Sequence, residues 1–252
     1  MRATSGRAHL RAAWGDPLGG MERLIDAGGA AALARLFAGL LAGWWCYVPL
    51  HELLHAAGCV LAGGSVTRLE IDALYGGRLF AALFPFVEPA SEYAGRLSGF
   101  DTGGSDLVYL VTDLFPFLWP LWPGLWAVRR AARATRGLFF GFFLPWGLAP
   151  FISLPGDAYE IGSLLARQLP PWSTSPAREL ILSDDIVAKA GELAALPGAP
   201  WGGFGLAAAL GVLWAFGTVA LASWVSTRLG EPPLERLPVP AVARSRSARD
   251  GG

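Results

Sequence analysis

The chain has 252 residues, 53% of them hydrophobic and only 16% charged, with 20 Lys and Arg matched by 20 Asp and Glu. Soluble domains carry roughly a quarter charged residues, so this balance points to a membrane protein, and the zero net charge gives no ground for a nucleic-acid partner. The two cysteines, Cys46 and Cys59, share one apolar run and would stand on the order of 20 Å apart on a helix, which excludes a disulfide framework.

Residues 1–30 read as a polar N-terminal segment. Arginines 2, 7, 11 and 23 are interspersed with Asp16, Glu22 and Asp26, unlike a cleavable signal peptide, and His9 among them is expected to be incidental. From about residue 31 to 61 the chain is apolar apart from Arg35 and the stretch HELLH (51–55), and about 20 such residues suffice to cross a bilayer. The alternation in VTRLEI (66–71) then predicts a short strand or hairpin at the membrane surface. Further spans are expected at 107–128, charged only at Asp113, and at 137–156 and 204–225, which carry no charge. Prolines in the first three predict kinks.

Between the last two spans, SDDIVAKAGELAAL (183–196) predicts a short amphipathic helix capped by Ser183. Residues 230–252, rich in proline, arginine and small residues, are expected to be a disordered tail. The fold class is thus an all-α integral membrane protein of about four transmembrane helices, with a short surface β-hairpin or strand after the first. Residues 31–229 form its polytopic domain, a multi-pass body expected in the plasma (inner) membrane. Four arginines in 129–136 place that loop in the cytoplasm, and with it both termini, leaving the HELLH end of the first span toward the outer face.

HELLH carries the chemistry. Helical residues four apart lie on one face, so His51 and His55 can share a Zn²⁺. Glu52 sits on the adjacent flank, where it can act as general base toward a metal-activated water. Two of the chain's three histidines form this motif, and ionisable residues in a span are functional by default.

Zinc needs a third protein ligand. Cys59 lies about 12 Å from His51 along a helix, too far to close one tetrahedron. Leu61, where a metzincin would place its third histidine, excludes that class. If successive spans alternate direction, the ends of spans one and three and the start of span two share one membrane face. His51, His55, Asp113 and Asp157 then converge there. Asp157 is the first choice, because Pro155–Gly156 can break the third span and turn a carboxylate inward; its competing role is to cap the next helix. Asp113 is the alternative third ligand, or else orients a histidine. Asp106, Glu160, Glu88 and Glu92 are more distant candidates.

These residues resemble the site-2 protease family of intramembrane zinc metalloproteases. HELLHAAGCVLAGGSVTRLEIDALYGG (51–77) is similar to the family's first core segment, and GLAPFISLPGDAYEIGSLL (147–165) to the proline-rich break that carries its third ligand, an aspartate. The second segment departs from the family pattern: Gly147 stands where an asparagine is usual, and Gly156–Asp157 reverses the usual Asp-Gly order. The resemblance spans roughly residues 35–168. It implies an intramembrane zinc endopeptidase that cuts a membrane-protein or peptide substrate, an exposed edge strand from VTRLEI pairing with the extended substrate. The alternative is a non-proteolytic membrane scaffold or regulator with a structural or vestigial metal site. The chain shows no regulatory module, so any adaptor would be a separate chain.

Overall fold

Long apolar segments have no side chains to satisfy their own amides, so the backbone must pair with itself, and a helix does this locally. The computed structural model describes residues 6–234 and is mostly helical, with one small sheet. Helix α1 (Gly6–Leu61) is two helices joined at Gly29, whose φ of 51° only glycine adopts freely. A layer of β1 (Ser65–Ile71), α2 (Gly77–Leu83), β2 (Val87–Glu88) and β3 (Gly95–Asp101) follows. Then come α3 (Asp106–Leu114), α4 (Leu125–Arg133), α5 (Gly137–Ile152), α6 (Asp157–Ala166), α7 (Ile186–Ala194) and α8 (Trp201–Arg228).

Among the described residues, three helical stretches are long and apolar enough to cross a membrane: Gly15–Leu61, Gly137–Ala166 and Trp201–Arg228. The expected span at 107–128 is not a fourth such helix. Pro116, Pro120 and Pro123 each remove an amide donor, and the chain answers with a 3₁₀ turn at Phe115–Phe117 and a π-type turn at Pro120–Gly124 in which Trp122 is extended. The stretch Gly137–Ala166 breaks where Pro155–Gly156 predicts, between α5 and α6.

The sheet also differs from a simple hairpin. Its order is β2-β1-β3, with β1 parallel to β2 and antiparallel to β3. VTRLEI is therefore the central strand, and the sheet's outer edges belong to the two-residue β2 and to the longer β3. Leu69 and Ile71 of β1 are fully buried with Val87 against Ala56 of α1, so the sheet is stacked on the HELLH end of that helix. Trp45 Nε1 donates to the Leu74 carbonyl at 2.7 Å, tying the same helix to the turn after β1.

Helix α1 runs directly against α5. A Cβ on Gly39 would lie 2.0 Å from the Leu138 carbonyl oxygen, and one on Gly141 2.0 Å from that of Leu36. Gly39-x-x-x-Gly43 and Gly137-x-x-x-Gly141 thus let two backbones touch, the small-residue packing that sets helices close without large side chains. This contact sets α5 in register with α1 and so fixes where the chain re-enters at Asp157.

Three local expectations are corrected. The cap of α7 is Asp185, whose carboxylate accepts from the amides of Val187 and Ala188, while Ser183 Oγ accepts from the Asp185 amide. Residues 6–28 are helical and packed, with Leu24 and Asp16 fully buried, and His9 is buried with its Nδ1 3.0 Å from Ser223 Oγ. The tail expected from residue 230 is docked as far as Leu234, which is 7% exposed; its remainder, 235–252, lies outside the described residues.

Candidate metal centre

Tyr47, His51, His55 and Cys59 follow one another at four-residue steps and therefore share a face of α1. His51 and His55 are each 6% exposed. Their Nε2 atoms lie 3.1 Å apart. From the far side of the bundle the Asp157 carboxylate reaches in, Oδ2 at 2.9 Å from His51 Nε2 and Oδ1 at 3.7 Å from His55 Nε2. One ligand atom from each of these three residues falls within 4.8 Å of the others.

Asp157 is the first residue of α6, and the cap position before it is Gly156, which offers no side chain. Its carboxylate is therefore turned to the histidines and does not cap its own helix. The negative charge at the first turn of α6 also lies favourably against the helix dipole.

The outer ring nitrogens are held separately. His55 Nδ1 donates to the Thr112 carbonyl at 3.0 Å, which leaves its Nε2 as a bare lone pair in the neutral ring. His51 Nδ1 is 2.8 Å from the Tyr47 hydroxyl. His51 Nε2 stands at hydrogen-bond distance from Asp157 Oδ2, so the ring can donate a proton to the carboxylate, or the same atoms can hold a cation in its place. Donors around a tetrahedral zinc at about 2.0–2.1 Å stand about 3.3 Å from one another, which matches the separations seen. The set, two imidazoles and one carboxylate with a side open to a cavity, could hold a metal ion with one coordination position left free.

That cavity, about 580 Å³, is lined by Glu52, His55, Asp113 and Asp157 and closed on one side by β3. Gly95, the first residue of β3, sits hard against Glu52: a Cβ there would come 2.5 Å from Glu52 Cγ and 3.4 Å from its Oε1. A side chain at 95 would push Glu52 out of place. Arg96 crosses the mouth to Asp184 at 2.7 Å.

The other candidates lie elsewhere or play other parts. Asp113 is 3% exposed and lines the cavity, but it is outside the three-residue cluster and its Oδ2 has no hydrogen-bond partner among the described residues. Asp106 pairs with Arg178 at 2.9 Å and Arg167 at 3.5 Å. Glu160 accepts from the Tyr109 hydroxyl within the cavity wall. Glu88 pairs with Arg68 at 2.8 Å, and Cys59 is a free thiol facing the Ser65 carbonyl. Tyr47, absent from the sequence-based set, carried a usable signal in its four-residue spacing. The Thr112 carbonyl carried none, because every residue has one.

The chain matches no protein-family model, no curated protein and no solved structure.

Proposed function

We propose that this chain is a multi-pass membrane zinc endopeptidase of the site-2 protease type, cutting a peptide bond of a membrane-protein substrate near the bilayer surface. The observation that carries the reading is the convergence of His51, His55 and Asp157 at the wall of a cavity that Glu52, His55 and Asp157 line.

Several features support the membrane setting. Phe37, Leu41 and Leu213 are 58%, 72% and 67% exposed on the apolar helices, faces that lipid accepts and water does not. Trp201 and Trp224 are exposed near opposite ends of α8, about 35 Å apart along a helix, as aromatic residues at two membrane interfaces would be. The broken stretch from α3 to α4 supplies the fourth crossing. Pro116, Phe117, Pro120 and Gly124 are buried there, so its freed backbone groups face protein. The arginines of 129–136 then put that end in the cytoplasm and the metal centre toward the outer face of a plasma (inner) membrane.

His51, His55 and Asp157 would hold zinc, which supplies a Lewis acid for the substrate carbonyl and lowers the pKa of water at the centre. Glu52 takes the proton of the attacking water as its oxygen bonds to the carbonyl carbon. It returns that proton to the amide nitrogen as the C–N bond breaks. Tyr47 and the Thr112 carbonyl hold the two rings in orientation. The outer edge of β3 offers backbone donors and acceptors to an extended substrate; this edge takes the role expected of VTRLEI. A helical substrate must unwind locally to use it.

The test is cleavage of fluorescein-labelled casein and of a quenched single-span peptide by zinc-loaded protein in detergent. Glu52→Gln should slow cleavage by a factor of about 100 to 10,000, as loss of a general base does. Cleavage retained in Glu52→Gln protein would overturn the reading. A cellular function that survives Glu52→Gln but not His51→Ala would favour the scaffold instead.

A further inference from the structure

At the end of the molecule away from the metal centre, a cleft of about 500 Å³ opens between α4 and α5. Its walls are apolar and aromatic, formed by Trp126, Phe139 and Phe143, with Phe139 52% exposed. Its rim is cationic. Arg130, Arg133 and Arg136 border it, against a single carboxylate among the described residues, that of Glu231. Arg129, the remaining arginine of this run, is turned away into a buried pair with Asp16 and takes no part.

We infer that this cleft binds an anionic phospholipid, the phosphate on Arg130 and Arg136 and an acyl chain along Phe139 and Phe143. Three observations lead there. The rim already holds an anion, because Glu231 pairs with Arg133 and lies 3.4 Å from Arg130, yet one carboxylate leaves the three guanidinium groups in excess. The Arg130 side chain is 66% exposed and its guanidinium stands 5.4 Å from the centre of the Trp126 ring, so charge and aromatic wall form one surface. Guanidinium planes match phosphate oxygens two at a time, whereas a zwitterionic headgroup brings its own cation to a rim that is already positive. A small soluble anion would use the rim and leave the walls bare; a phospholipid uses both.

The inference rests on the membrane placement proposed above and is independent of the zinc chemistry. Its test is native mass spectrometry of delipidated protein in a neutral detergent. The probes are dioleoylphosphatidylglycerol, dioleoylphosphatidylcholine and inorganic phosphate. The wild-type chain should retain phosphatidylglycerol well above phosphatidylcholine and should not retain inorganic phosphate. The doubly substituted Arg130→Gln, Arg136→Gln chain should bind phosphatidylglycerol roughly 30-fold more weakly, about fivefold for each arginine. Both arginines are exposed, so an unchanged unfolding temperature checks that the fold survives. Equal retention of the two lipids, unchanged retention in the double variant, or phosphate binding as tight as lipid binding would each overturn the site. His51→Ala protein should bind the lipid like the wild type, which separates failure here from failure of the protease reading.

Discussion

The two ends of the molecule each bury charged and polar side chains, and they treat them differently. Around Arg129, 0% exposed, each guanidinium nitrogen finds an acceptor: Nε reaches Asp16 Oδ2 at 2.7 Å, Nη1 the carbonyls of Ser223 and Glu231 at 3.0 and 2.8 Å, and Nη2 Ser223 Oγ at 2.5 Å. The second Asp16 oxygen accepts from the Leu234 amide at 2.7 Å. At the other end, the inner nitrogens of His51 and His55 and the Asp157 carboxylate face one another beside a cavity, and Asp113 Oδ2 has no partner among the described residues. A closed polar network that joins α1, α4, α8 and the following segment is built for stability. An open one, with two ring nitrogens and a carboxylate gathered around a shared point, leaves a side free toward the cavity.

The largest expected effect comes from breaking the closed network. Asp16→Ala leaves a buried guanidinium without its counter-charge, which costs about 3–5 kcal/mol and releases residues 231–234. Denaturant unfolding in detergent measures it, and unchanged stability would mean that this pair does not hold the end together. At the open end Tyr47→Phe should leave stability nearly unchanged while weakening metal affinity about 10- to 100-fold, because the ring of His51 loses its outer hydrogen bond. A competition titration with a chelating dye reads it; equal affinity would assign the hydroxyl to packing alone.

The same contrast explains what could be read from the sequence. HELLH is local: its spacing places two histidines on one helical face whatever the rest of the chain does. Pro155–Gly156 marks the break that frees Asp157, so this residue too could be named, although its meeting with His51 across 106 positions is tertiary. The pairing of Arg129 with Asp16, 113 positions apart, left no mark, because nothing local in RRAARATR says which arginine turns inward. Prolines in 107–128 announced kinks, but three within eight residues exceed what one continuous helix absorbs. VTRLEI showed its strand period, while its central place depended on partners that arrive 16 or more residues later, from β2 and β3.

The most direct measurement is zinc per chain in detergent-purified protein, for the wild type and for Asp157→Ala and Asp113→Ala. About one zinc per chain is expected in the wild type, lost with Asp157→Ala and kept with Asp113→Ala. Zinc kept with Asp157→Ala, or none in folded wild-type protein after reconstitution, would contradict the three-residue centre.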